Sequence, residues 1–229
     1  MALILNIDTC SDEAFVSLAL DENVIATQTN PEQKNHAAFL QPAIERLMNK
    51  TKKSLTELNA IAVVSGPGSY TGLRVGLASA KGLCYALNKP LLFVNTLYLM
   101  AYAGKTHTAP TINPEPKLFC PMVDARRMEV FTCLYNERLE LQQPPQAMIL
   151  NELSFIEYVD NQPVLFFGNG SEKFKTAVNS SNALFANVIY TADDMAVLSQ
   201  KAFEDKNFQD LAYSVPEYIK DFFVLQKKH

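Results

Sequence analysis

Residues 2–29 read A-L-I-L-N-I-D-T-C-S-D-E-A-F-V-S-L-A-L-D-E-N-V-I-A-T-Q-T. Three runs rich in apolar residues lie here, at 2–8, 14–20 and 23–29, parted by the turn-forming Ser11-Asp12-Glu13 and by Asp21-Glu22. Short runs with short breaks predict three strands in an antiparallel meander. The period then changes. Over about 34–50, Leu40, Ile44, Leu47 and Met48 recur at i, i+4, i+7 and i+8, one face of a helix. Pro42 inside that helix removes a backbone donor and predicts a kink. Ser54-x-x-Glu57 has the form of a capping box. Residues 60–65 predict a buried strand, and 70–87 a long helix with Ser69 as its N-cap and Asn88 and Pro90 at its end. A strand at 91–95 and a short helix at 96–103 follow.

Residues 104–117, with three prolines and no apolar period, read as a linker. The order then repeats. Strands are expected at 118–124, 128–135 and within 138–150, then a helix at 152–160, a strand at 163–168, a helix at 171–179, a strand at 187–190 and a helix at 193–205. Each half reads β-β-β-α-β-α-β-α, although no residue-level repeat is visible. Three antiparallel strands followed by βα crossovers describe a mixed sheet flanked by helices, an α/β fold. Two such units make the duplicated ribonuclease-H-like plan of actin, Hsp70 and the sugar kinases. The expected domains are 1–103 and 118–229, with the last helix free to pack back on the first domain.

With 48% hydrophobic and 19% charged residues, the chain has the composition of a soluble globule. Its net charge of −4 argues against a nucleic-acid grip by this chain alone. Cys10, Cys84, Cys120 and Cys133 form no C-x-x-C pair and suit reduced core thiols. The N-terminus lacks a basic signal region, and no apolar run approaches the ~18 residues of a membrane helix, so a cytoplasmic protein is expected.

The sharpest motif is S-G-P-G-S-Y-T-G-L-R-V-G, residues 65–76, which joins a strand to a helix. Backbone amides at a helix start, around Gly68 and Ser69, can bind an anion. A Walker loop is absent, and a structural turn accounts for the glycines better than anion binding does. Asp8 and Asp12 flank the first turn, where they could meet a phosphate or simply cap the chain. Gly72, Gly76, Ser79 and Ala86 lie beside Leu73, Leu77 and Leu83 on the helix at 70–87. That strip either packs on the chain's own sheet or forms a seam with a partner. The histidines are scattered and assemble no metal site.

The 65–76 motif resembles the S-G-P-G-S-[FY]-T-G-[LV]-R-[IV]-G signature of the TsaB (YeaZ) family. Leu5-Asn6-Ile7-Asp8-Thr9, His36-x-x-x-Leu40-x-Pro42, Asp124-Ala125-Arg126-Arg127-Met128-Glu129-Val130 and Pro216-Glu217-Tyr218-Ile219-Lys220 are similar to further motifs of that family. The resemblance implies a non-catalytic subunit that binds a TsaD-type catalytic subunit. The pair, joined by a TsaE-type ATPase, would make threonylcarbamoyl-adenosine at position 37 of tRNAs reading codons that start with A. TsaD-like proteins carry N-H-x-x-x-H, whose two histidines hold a metal; this chain has Thr96 and Met100 there, neither a credible ligand. The expected partner seam comprises Leu40, Ile44, Leu47, Leu73, Gly76, Leu77, Ser79 and Leu83, and a homodimer could use it too. Asp8, Gly68, Ser69, Asp124 and Arg126, with Arg127, are the candidate nucleotide or anion contacts. No intrinsic cofactor is expected, a nucleotide binding only within the complex, with tRNA met only through the complex and no membrane. The alternative is an actin-like-fold metallopeptidase or small-molecule kinase.

Overall fold

The computed structural model describes residues 1–11, 13–31, 35–108 and 112–220. Asp12 and the basic tail Lys227-Lys228-His229 lie outside the described residues. The meander is present as β1 (Leu3–Asp8), β2 (Ala14–Leu20) and β3 (Asn23–Asn30), each antiparallel to the next. Helix α1 (His36–Thr51) continues through Pro42. A 3-10 turn at Leu55–Glu57 carries the full capping box of Ser54 and Glu57. Then come β4 (Ala60–Gly66), α2 (Tyr70–Leu87), β5 (Leu91–Asn95) and α3 (Thr96–Ala103), which runs into a π-helical turn at Gly104–Thr108.

The second half follows as β6 (Leu118–Asp124), β7 (Glu129–Asn136), β8 (Leu141–Ile149), α4 (Ile156–Val159), β9 (Val164–Phe167), α5 (Ser171–Lys175), β10 (Ala183–Phe185), α6 (Ala192–Glu204) and β11 (Phe208–Gln209). The sheets run β11-β5-β4-β1-β2-β3 and β10-β9-β6-β7-β8. Apart from the added β11, the strand orders match one for one, which is the duplication read from element order. This is the expected α/β architecture of two mixed sheets flanked by helices.

Helix α3 packs between the two sheets, and α6 lies beside it on the first. Leu99 of α3 and Met195 and Leu198 of α6 meet Ala2, Ile4, Ala60 and Leu92 of the first sheet. Leu97, Met100 and Ala101 of α3 meet Phe119, Cys133 and Leu165 of the second. The outer face of the first sheet is covered by α1 and α2, and that of the second by Phe155, Val159 and Phe174. Among the described residues no helix is long and apolar enough to cross a membrane.

Three expectations are corrected. The helices foreseen at 152–160 and 171–179 shrink to α4 and α5, each a single turn or little more, because the aromatic cluster of Phe155, Phe166 and Phe174 fills the space with few residues. The strand foreseen at 187–190 is instead at Ala183–Phe185. Residues 186–190 cross from the second sheet to the first; Val188 is buried but pairs with no strand, so an apolar run mimics a ladder that is not there. The two-residue β11 was not foreseen; it pairs antiparallel with β5 and brings the chain back to the first sheet.

Candidate functional site

The apolar stripes of α1 and α2 face inward. Leu40, Ile44 and Leu47 of α1 and Leu77 of α2 lie in one core cluster with Leu3, Leu5, Ile7, Val16 and Val63 of the sheet. Leu73 is buried beneath the first turn of α2, against Cys10 and Val64. A Cβ on Gly76 would stand 2.6 Å from Thr9 Oγ1 and 3.3 Å from Val63 Cγ2, so this glycine lets α2 lie close on its own sheet. Six of the eight residues foreseen as a partner seam are therefore internal. Helical periodicity marks the stripe that is buried first, and here the sheet takes it. Only Ser79 and Leu83 of that set reach the surface, both half-buried.

The outward face of the two helices is different. Ala37, Ala38, Gln41 and Pro42 of α1 and Ala78, Gly82, Tyr85 and Ala86 of α2 are exposed. Gln41, Ala78, Ser79, Gly82 and Leu83 line a groove between them, bridged where Gln41 Nε2 donates to Ser79 Oγ at 3.0 Å. Among the described residues nothing lies within 4 Å of a Cβ on Gly82, so no contact there calls for a glycine mid-helix, where it costs about 1 kcal/mol against alanine. Tyr85 is 83% exposed. Small residues around a groove, with one large aromatic beside it, permit close approach by another helix.

The glycine-rich loop is pressed into the first turn. Ser69 N–H donates to Cys10 O (2.8 Å), Thr9 Oγ1 donates to Gly72 O (2.7 Å), and Gly72 N–H donates to Ser69 Oγ (3.3 Å). A Cβ on Gly68 would meet Cys10 O at 2.8 Å. The amide of Ser69 is thus spent on Cys10 rather than open to an anion. Asp8 is fully buried; its Oδ1 accepts from Cys10 N–H (2.8 Å) and its Oδ2 from the Tyr190 hydroxyl (2.7 Å). Burial raises its carboxyl above the ordinary value, and those two hydrogen bonds only partly offset the rise. Asp8, foreseen as an anion contact, is instead buried with both oxygens partnered, while Ser69 is half-buried, with its amide on Cys10 O and its hydroxyl oxygen on the Gly72 amide. Burial and the neighbouring Asp8 push the Cys10 thiol well up, which leaves a neutral side chain beside Thr96 rather than a nucleophile.

The matching turn of the second half is open. Asp124 Oδ1 accepts from Arg126 N–H (2.5 Å) and from Lys173 Nζ (2.7 Å), while Asp124 N–H donates to Asn169 Oδ1 (2.8 Å). Its modest burial alone would raise the carboxyl; Lys173 and the Arg126 amide outweigh this and hold it below the ordinary value. Arg126 and Arg127, at φ +73° and +49°, form the exposed tip of the β6–β7 hairpin. Asp124 and Arg126 are thus brought together, at the end of a different sheet from Asp8, Gly68 and Ser69. Sequence reasoning missed Tyr190 and Lys173, which set these environments.

Thr96 and Met100 lie in the core, Thr96 against Cys10 Sγ and Met100 beside Gly168. His36 Nε2 meets Ser11 O at 3.1 Å, and His107 pairs with buried Asp194 at 2.6 Å. Among the described residues no group of three or more His, Cys, Asp or Glu side chains could hold a metal ion.

Residues 22–228 match a family model described as TsaD: tRNA N6-adenosine threonylcarbamoyltransferase. The chain is 31% identical over 222 residues to the tRNA threonylcarbamoyladenosine biosynthesis protein TsaB of Bacillus subtilis (strain 168), with 95% of this chain and 93% of that protein covered. It superposes with a TM-score of 0.82 on a Pseudomonas aeruginosa protein described as uncharacterized, with similarity to peptidase YEAZ (20% identity, 96% of this chain and all of that one). An inorganic polyphosphate/ATP-glucomannokinase from an Arthrobacter strain shares the fold at a TM-score of 0.51 (8% identity, 90% of this chain and all of that one).

Proposed function

This chain belongs to the TsaB family, a branch of the wider TsaD group whose members work in tRNA threonylcarbamoyladenosine biosynthesis, and on that premise we propose that it is a non-catalytic subunit that docks a TsaD-type catalytic partner. The observation that carries the docking reading is the outward face of α1 and α2. Exposed Ala37, Ala38, Ala78, Gly82 and Ala86 flank a groove, with Tyr85 standing beside it. A partner of the same fold would lay its own α1–α2 pair across this groove, making a four-helix contact. Small residues let backbones approach closely, and Tyr85 supplies the kind of aromatic anchor that concentrates binding energy. Without the partner, a second copy of this chain could use the same face.

The non-catalytic part of the reading rests on what replaces chemistry. Positions 96 and 100 are packed core, the Asp8 turn is sealed by Tyr190, and Cys10 is a buried thiol. These features lend no support to a metallopeptidase or a small-molecule kinase. A nucleotide would bind only in the complex, where partner groups complete a site. A TsaE-type ATPase would join, and the net charge of −4 leaves tRNA to be held by the complex rather than by this chain.

The test is threonylcarbamoyl transfer to tRNA with a TsaD-type subunit, a TsaE-type ATPase and the threonylcarbamoyl-AMP synthase, with and without this chain. Ala78→Arg puts a charge in the groove without touching the core. Activity and co-elution with the TsaD-type subunit should be lost while the unfolding midpoint stays put. Transfer that proceeds equally without the chain, or with Ala78→Arg, sinks the reading. Leu77→Arg would not serve, because Leu77 is buried and the variant would unfold.

A further inference from the structure

The P-E-Y-I-K stretch near the C-terminus has no part in the docking reading, yet it is held at several points. Lys81 Nζ of α2 donates to Ala212 O (3.3 Å) and Ser214 O (3.1 Å). Arg74 Nε donates to the Tyr218 hydroxyl (3.1 Å), and the rings of Tyr70 and Tyr218 lie 5.6 Å apart. The tail therefore runs antiparallel along the flank of α2, from Lys81 back to its first turn. There Glu217 meets the C-terminal ends of two parallel strands. Its N–H donates to Ser65 O (2.8 Å), Ser65 Oγ donates to its Oε1 (2.9 Å), and Asn95 Nδ2 donates to its Oε2 (2.5 Å). Gly66 has φ +118°, and a Cβ there would meet Glu217 O at 2.9 Å, so the loop is shaped to the tail. Two residues further on the chain belongs to the other half. Ile219 packs into the core around Phe119 and Phe167, and Lys220 Nζ binds both carboxylate oxygens of Glu129 at 2.8 and 2.9 Å.

We propose that residues 212–220 are a strap that couples α2 and its glycine-rich loop to the β6–β7 hairpin, so that release of either end loosens the other. The physical basis is the short tether. The anchors Glu217 and Ile219–Lys220 are separated by Tyr218 alone, so each holds the other near its site at high effective concentration, and loss of one lowers the occupancy of the other. Coupling of this kind is reciprocal. A load on the first turn of α2, at Tyr70 and Arg74, is thereby felt at Glu129 and the Arg126–Arg127 tip. The inference does not rest on the docking reading, because it is tested on the free chain.

The experiment is residue-resolved hydrogen exchange. The Ile219→Ser/Lys220→Ala double variant releases the second-half anchor, and the reporter is the Glu217 amide on Ser65 O. Glu217→Ala weakens the first-half anchor by removing its side-chain bonds to Ser65 and Asn95, and the reporters are the Ala125 and Glu129 amides, which close the hairpin on Glu129 O and Arg126 O. Each reporter should exchange at least about fivefold faster in the variant that breaks the opposite end, with β1–β2 amides unchanged. Acceleration confined to the mutated end in both variants overturns the coupling. If Glu217→Ala fails to fold, the double variant decides alone, since it leaves in place the Glu217 hydrogen bonds to Ser65 and Asn95.

Discussion

The β1–β2 turn and the β6–β7 turn occupy the same place in two sheets of the same strand order, and each follows a strand that ends in aspartate. Asp8 is sealed beneath Tyr190, with α2, eighteen residues long, pressed against its turn. Asp124 stands at the surface, held by Lys173 of α5, which is five residues long. One carboxyl is raised and the other lowered from the same ordinary value. Duplication thus fixes where the carboxylate stands, while the elements that arrive over it decide its chemistry. The first turn is walled by a long helix and by the segment leading into α6, so it has become structure. The second kept an open approach, so its charges stay available.

The sharpest way to break this contrast is to thicken the wall on each side by one methyl group. A Cβ on Gly72 would stand 1.8 Å from Thr9 O, a backbone atom that cannot yield without moving β1 or α2. Gly72→Ala should cost roughly 3 kcal/mol or more in urea unfolding. At the matching place a Cβ on Gly170 would meet Val130 Cγ1 at 2.8 Å and backbone atoms only at 3.2 Å. Gly170→Ala should cost about half as much. Equal losses would mean that the two turns are equally enclosed and that the contrast lies in charge alone.

How much of this was legible beforehand follows from the range of each interaction. Ser54-x-x-Glu57 and the Ser69 cap were readable because partner and cap lie within three residues. The strands of both meanders were readable because period and turns are local. Asp8 was readable as a turn aspartate, but its partner Tyr190 is 182 residues away and sits in a segment that itself looked like a strand. Most of the residues foreseen for the partner seam were misplaced for a related reason. Leu40, Ile44, Leu47, Leu73 and Leu77 have the right period for any helix with an apolar stripe, and period does not say whether the sheet or another molecule covers it. Gly82 carried the better signal, a glycine inside a helix with no close neighbour, but that is visible only once the neighbours are known.

A smaller contrast separates the two turns through their hydrogen bonds. Tyr190→Phe leaves a buried Asp8 oxygen without its donor, and a loss of about 2 kcal/mol is expected. Lys173→Met removes a partly exposed ion pair, where water replaces the lost charge, and the loss should stay below about 1 kcal/mol. Thermal or urea unfolding of both variants checks the ranking. A larger loss from Lys173→Met would move the rigid turn to the second half.

The smallest effect, and the most specific, is in acid. Asp8 binds its proton more tightly folded than unfolded, so its contribution is present below the ordinary value of 3.8 and is lost as pH rises through the higher folded value. Asp124 has the opposite sign: its contribution is present above 3.8 and is lost as pH falls through the lower folded value. The stability deficit of Asp124→Asn relative to the parent should therefore shrink as pH is lowered from 6 toward 3, whereas the deficit of Asp8→Asn should grow over the same range. Urea midpoints of the three proteins at each pH give the two differences directly. Slopes of the same sign would show that Asp8 is ionised as readily as a surface carboxylate, and the seal over the first turn would then have to be looser than the Tyr190 contact implies.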